Sequence, residues 1–360
     1  MNVAFHTVIG ARDEERRDLF LTTARRLGTA VQNVEKDFWV CWTLDILFNG
    51  LPIGGPRLLF KGGTSLSKGF GLIDRFSEDI DITVFRDDIG AGASVEELEA
   101  LSGKKRRAKL DAIKAASQTF LNGPFCDALR RQIAETVKAA GIPAGRFRLE
   151  PDSDDPDQQT FLLWYPAVTA QPGDYIRSAV KIEAGAKSAL DPHVTATVIP
   201  YVNDDLPARN LAVPNVTTVE ASRTFWDKVV ILHGLRQWHD RRGELRHGGQ
   251  RVSRHHYDVF RLLQAQQAAK WVADRQLAID CARHARMFFY SADLGLDRAI
   301  PGTLTLAPSN AMQDPLGRDF AASIAIHDSI GGVATVSTKR RNNRTYQSNR
   351  YAPLNQEILA

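Results

Sequence analysis

The chain has 360 residues, 43% hydrophobic and 24% charged, with a net charge of +4. That is an ordinary balance for a soluble globular protein, and the length allows two domains or one elaborated one. No apolar run reaches the ~18 residues of a transmembrane helix, and Met1 to Arg17 lacks the apolar core of a signal peptide. Cys41, Cys126 and Cys281 lie too far apart in sequence for a disulfide framework or a zinc site, and read as reduced thiols of a cytoplasmic protein. The mildly basic charge is compatible with a nucleic-acid partner without demanding one.

Residues 11–28 carry Leu19, Phe20, Leu21, Ala24 and Leu27 at the spacing of an amphipathic helix, and residues 32–49 form a second. Glu35-Lys36-Asp37 reads as the charged start of that second helix, its acidic positions favoured by the dipole. After a turn at 51–56, the apolar run Leu58-Leu59-Phe60 breaks at Gly62 and Gly63 and restarts with Thr64 and Ser65. This predicts a strand, a tight turn and a helix start. Two glycines let backbone N–H groups approach an anion, the helix start adds positive charge, and Ser65 is expected to hydrogen-bond a phosphate oxygen. Next comes an alternating run with Asp79, Asp81 and Thr83 on one face and Ile80, Ile82 and Val84 on the other. Two carboxylates that repel each other on one strand face suit a divalent cation. A phosphate cradle followed about fourteen residues later by a metal-binding pair points to chemistry on a nucleoside triphosphate with Mg²⁺. The cradle is not a Walker P-loop, because no Gly-Lys-Ser/Thr follows at the required spacing.

Residues 86–107 break the apolar rhythm and end in Lys104-Lys105-Arg106-Arg107, either a solvated loop leading into a helix or a contact for RNA or DNA phosphates. Residues 108–140 read as helical. Short strands at 146–150 and 161–165 flank the acidic loop Asp152 to Asp157, which lacks the glycine and terminal glutamate of an EF-hand and reads as a solvated turn. The run Ile176 to Glu183 is strand-like. If that strand neighbours the aspartate strand, Glu183 supplies a third carboxylate to deprotonate or orient an attacking hydroxyl; otherwise it is a paired surface glutamate. Residues 194–202 give another strand, and Leu206 to Pro214 a connection.

From Val219 the pattern is helical. Lys228 stands among bulky apolar neighbours in Arg223 to His233, either snorkelling to solvent or opposing triphosphate charge. Residues 239–252 read as a flexible polar segment. In the helix starting at Arg254, His255 and His256 point about 100° apart and make no i,i+4 metal pair. Asp258 either orients Lys228 by a charge-assisted hydrogen bond or is an ordinary surface aspartate. Residues 274–290 form the last expected helix, and the tail from Thr335 is expected to be loosely ordered. The expected domains are a core at 1–215, a helical domain at 216–300 and an irregular tail at 301–360.

Three blocks resemble the AbiEii/AbiGii family of nucleotidyltransferase toxins. They are Phe60-Lys61-Gly62-Gly63-Thr64-Ser65-Leu66 with Arg75-Phe76-Ser77-Glu78-Asp79-Ile80-Asp81, then Arg223-Thr224-Phe225-Trp226-Asp227-Lys228, then Arg254-His255-His256-Tyr257-Asp258. The resemblance spans roughly 35–265. It implies an α/β (α+β) fold: a polymerase-beta-like nucleotidyltransferase core with a small mixed sheet, plus a C-terminal helical domain. It implies Asp79 and Asp81 as metal-binding carboxylates, and Gly62, Gly63, Thr64 and Ser65 as the nucleotide-binding turn. Lys228 and Asp258 match the family's essential lysine and later aspartate, and Glu183 is the candidate third carboxylate. Further implied are Mg²⁺, an NTP substrate, an RNA acceptor such as the tRNA 3′ end, and a cognate antitoxin. The chain departs from the family at Asp227, where a glutamate is usual, and its tail beyond about 315 does not resemble the family's ending. The competing readings are a non-catalytic nucleotide-binding protein, an aminoglycoside-type transferase acting on a small molecule, and a protein nucleotidyltransferase.

Overall fold

The computed structural model of the chain describes residues 1–75, 77, 79–170, 177–206, 210–249 and 251–328. Phe76 and Glu78 of the motif, Ile176 and the tail from Thr335 lie outside the described residues. The chain divides into two compact units, the first ending at Val219 and the second beginning at Glu220. The expected boundary at 215/216 would cut through a strand that the sequence reading missed, Val213–Val219.

The first unit is α/β. Its strands are β1 (Leu58–Lys61), β2 (Asp79–Val84), β3 (Arg148–Pro151), β4 (Thr160–Trp164), β5 (Ala179–Glu183), β6 (His193–Val198) and β7 (Val213–Val219). They form one mixed sheet in the order β3-β4-β5-β2-β1-β7-β6. β2 runs antiparallel to β1 and parallel to β5, and β1 runs parallel to β7. The strands that carry the motif therefore lie at the centre of the sheet. Helices α1 (Ala4–Gly10), α2 (Asp13–Leu27) and α3 (Val31–Asp45) precede the sheet, and a short turn, α4 (Gly62–Thr64), follows β1. Between β2 and β3 come α5 (Val95–Ala100), α6 (Gly103–Phe120) and α7 (Cys126–Ala140), the last two broken apart at Gly123-Pro124. The basic run Lys104 to Arg107 is the first turn of α6 rather than a loop, with Ser102 as its N-cap.

α3 is not amphipathic. It packs against β2, β5 and β7, and every residue from Asn33 to Asp45 is buried. Trp39 anchors it, stacked on Tyr165 at 5.1 Å and edge-on to Trp42 and Phe147 at 5.5 Å each. The expectation of a solvated charged start at Glu35-Lys36-Asp37 is corrected, because each charge is buried and holds a different distant segment. Glu35 accepts the Val168 and Thr169 amides at 2.8 and 2.9 Å. Lys36 Nζ donates to the Arg177 carbonyl at 3.1 Å and to the Ala179 carbonyl, fixing the start of β5. Asp37 pairs with Lys68 and accepts the Tyr201 amide at 2.7 Å. The Tyr201 ring lies 3.7 Å below the Lys68 ammonium. Burial alone would lower the Lys68 pKa, but the Asp37 charge beside it wins and drives it up. Buried ions are tolerated only when paired, and these pairs tie α3 to the turn and strand that the site uses.

The α-helices of the second unit are α8 (Ala221–Arg242), α9 (Ser253–Leu262), α10 (Ala268–Ala273), α11 (Arg275–Phe288) and α12 (Asn310–Asp328), and among its described residues it has no strand. α8 packs on α9 and α11, and Trp226 Nε1 donates to the Trp271 carbonyl at 2.8 Å. Two expectations are corrected here. α8 runs on to Arg242 through the start of the segment read as flexible, and α12 occupies the start of the region read as an irregular tail. In α12 the helix breakers Pro315 and Gly317 hid the helical period. Among the described residues no helix is long and apolar enough to cross a membrane.

Candidate active site

β1 ends at Lys61 and the chain turns at Gly62, whose φ is +80°. A Cβ at Gly62 would lie 2.1 Å from Asp81 Oδ2, and one at Gly63 would lie 2.4 Å from Arg75 Nη2. A carboxylate and a guanidinium thus press on successive glycines; at Gly62 the positive φ strains any side chain, whereas at Gly63 a side chain would have to push the flexible Arg75 guanidinium aside. Thr64 is buried and fastens the turn to the head of β2. Its hydroxyl donates to the Asp79 carbonyl, so the Ser77 hydroxyl is the donor in their 2.7 Å bond. Ser65 differs from its expected use. It is fully buried, and its hydroxyl donates to the Gly62 carbonyl at 2.9 Å, closing the turn from within. In a helical turn the carbonyl three residues back is the nearest acceptor, and it takes the proton that a phosphate was expected to receive.

The predicted carboxylates assemble across two parallel strands. Asp79 is in register with Lys181, and Asp81 with Glu183. Paired residues project to the same face, so Asp79, Asp81 and Glu183 share it. Lysines stand among them. Lys61 Nζ is 3.8 Å from Asp81 Oδ1, and Lys181 Nζ is 3.0 Å from Glu183 Oε1 and 3.4 Å from Asp152 Oδ2. Partial burial pulls the Lys181 pKa down, but Glu183, Asp79 and Asp152 outweigh it and the net shift is up. Asp152 corrects the reading of its loop as a solvated turn, since its side chain is only 5% exposed and faces Lys181. The carboxylate oxygens of Asp79 and Asp81 suit a hard cation such as Mg²⁺, which takes one or two protein carboxylates. Among the described residues no three His, Cys, Asp or Glu groups are gathered tightly enough to hold a metal.

In the second unit Lys228 Nζ lies 2.9 Å from Asp258 Oδ2, with the Asp258 side chain fully buried. Asp258 is therefore no surface aspartate, and Lys228 is held rather than snorkelling. His255 is pushed well below the usual imidazole range, first by burial and then by Lys228 and Arg254. His256 is pushed down to about 4 by burial. Both are neutral at pH 7. Arg223 Nε holds Asp227 at 3.1 Å, one helical turn on.

Residues 45–325 match the model of the nucleotidyl transferase AbiEii toxin family of type IV toxin–antitoxin systems. The chain belongs to the AbiEii family. The matched span includes every candidate site residue from Gly62 to Asp258, runs well beyond the C-terminal end of the expected 35–265 and reaches about ten residues into the tail that was read as unlike the family's ending. AbiEii membership carries nucleotidyl transferase chemistry, a toxin role and an antitoxin partner. The chain is also similar in structure to MenT4, a nucleotidyltransferase toxin from Mycobacterium tuberculosis H37Rv, at 17% identity and a TM-score of 0.38. That remote likeness covers 87% of this chain and 92% of the other. No curated protein sequence matches.

Lys61, Arg75, Asp152 and Lys181 stand at this candidate site without having been singled out from the sequence. A signal was present for Lys181, because the alternation that places Ile182 inside puts Lys181 on one face with Glu183. Gly62→Ala tests the turn. Its positive φ and the Asp81 contact together are expected to cost about 1–3 kcal/mol of stability. Displacing Asp81 by the order of 1 Å is expected to cost about 10²-fold in nucleotidyl transfer. Calorimetry and a transfer assay on the same preparation check both figures, and near wild-type transfer would show that Asp81 need not lie against the turn.

Proposed function

We propose that this AbiEii protein transfers a nucleoside monophosphate from an NTP to an RNA acceptor, the tRNA 3′ end, with Mg²⁺ held by Asp79 and Asp81. The observation that supports this best is the register of Asp79, Asp81 and Glu183 on adjacent parallel strands beside the Gly62-Gly63 turn. The backbone N–H groups of the turn are the candidate phosphate ligands, since the Ser65 hydroxyl is committed to Gly62. Mg²⁺, when bound, supplies charge stabilisation to the triphosphate and its leaving pyrophosphate. Glu183 is the candidate to orient or deprotonate the attacking hydroxyl. Lys228, fixed by Asp258, is the candidate phosphate-binding cation of the second unit. An RNA acceptor is favoured over a small molecule by the exposed Lys104, Lys105 and Arg107 at the start of α6.

The test is incubation with Mg²⁺, each α-³²P-labelled NTP and total bacterial RNA, beside a sample containing EDTA. A labelled, discrete RNA band that EDTA abolishes is the expected result, and it identifies the nucleotide as well. Label on protein would replace the RNA acceptor with a protein hydroxyl. No label with any nucleotide would overturn the reading in favour of a binding role.

A further inference from the structure

The sheet face that bears the acidic residues also bears two ammonium groups, and the strand register fixes their places. Across β1, β2 and β5, Lys61 stands opposite Asp81 and Asp81 opposite Glu183. One step along, Asp79 stands opposite Lys181. Asp152 reaches Lys181 from the end of β3, and it is a rigid post. Its backbone amide donates to the Thr160 carbonyl at 2.9 Å, and its Oδ1 accepts the Asp154 amide at 3.1 Å. Lys181 therefore bridges Asp152 and Glu183 while lying beside Asp79. Asp79, Asp81, Asp152 and Glu183 thus outnumber Lys61 and Lys181 on this face, with the Arg75 guanidinium close by at Gly63.

We propose that Lys181 is the resident counter-cation of this face, opposing a divalent metal at Asp79 and Asp81 and so setting the metal concentration at which the site loads. The inference rests on the metal reading of Asp79 and Asp81 given above. Without a metal, Lys181 relieves the repulsion among Asp79, Asp152 and Glu183, which keeps the central strands paired. With a metal, the same ammonium repels it. In a water-like medium the repulsion between a divalent and a single charge several ångströms apart is worth roughly a factor of ten in binding. Lys181 is thus a positioning residue for Glu183 and a brake on metal affinity.

The experiment measures Mn²⁺ binding to the full chain without nucleotide, by calorimetry or electron paramagnetic resonance, for wild type, Asp79→Ala, Lys181→Met and Lys181→Arg. Wild type is expected to bind Mn²⁺ and Asp79→Ala to lose that binding. Lys181→Met is expected to bind about tenfold more tightly, and Lys181→Arg, which keeps the charge, to stay within about twofold of wild type. Metal-free Lys181→Met is expected to melt below wild type, with a larger upward shift on adding Mn²⁺. If Lys181→Met does not fold, Lys181→Gln carries the same prediction. Unchanged or weaker Mn²⁺ binding in a folded Lys181→Met or Lys181→Gln overturns the inference and leaves the metal reading standing. Absence of any Asp79-dependent Mn²⁺ binding in wild type overturns both.

Discussion

Asp79→Ala is expected to lower nucleotidyl transfer by on the order of 10³-fold or more and to leave the melting temperature within a few degrees of wild type. A bound metal supplies several kcal/mol of charge stabilisation to the reaction, and each ~1.4 kcal/mol is tenfold in rate. The fold is expected to survive because the backbone keeps its own structural ties at this position. The Asp79 carbonyl accepts the Thr64 hydroxyl, and β2 keeps its ladder to β1 and β5. The side chain is only partly buried, and removing it takes one charge from a face with a carboxylate excess. Single-turnover transfer and a thermal melt on one preparation check the two halves. Full transfer by the folded variant would remove Asp79 from the metal assignment.

Lys228→Met is expected to destabilise the second unit by about 3–5 kcal/mol, the cost of leaving a fully buried carboxylate without its partner. A urea titration followed by tryptophan fluorescence checks this, with Trp226, Trp238 and Trp271 in that unit and Trp39, Trp42 and Trp164 in the first. The double variant Lys228→Met/Asp258→Leu separates structure from chemistry. Replacing both members of a buried pair by apolar groups of similar size is often neutral, so the double variant is expected to recover most of the lost stability. Transfer is expected to stay low in it, because the ammonium is still missing. Recovery of both stability and transfer would make the pair purely structural.

The glycine turn, the aspartate strand and the major helices were legible in the chain because each is a local pattern. Gly62-Gly63 after an apolar run announces a turn, and alternation from Asp79 to Val84 announces a half-buried strand. Even there, local reading stopped at side-chain use. Ser65 turned inward to the Gly62 carbonyl, and only the folded turn shows how near that acceptor lies. β7 was missed because Pro214 and Asn215 interrupt it with turn-like residues, although it pairs with β6 and β1.

The sequence by itself determined the carboxylate pair, the turn before it, the helical second half and the family that they identify. The tertiary structure alone decided which charges work together. Glu35, Lys36 and Asp37 look like a solvated helix start, yet their partners lie at Val168–Thr169, Arg177–Ala179 and Lys68. Asp152 looks like part of a solvated loop and faces Lys181, and between the two readings of Asp258, surface aspartate or partner of Lys228, the fold chose the second. The physical reason is the same in each case. Periodicity reports neighbours two to four residues away, whereas a buried charge is tolerable only beside a counter-charge that the fold brings in from a distant segment.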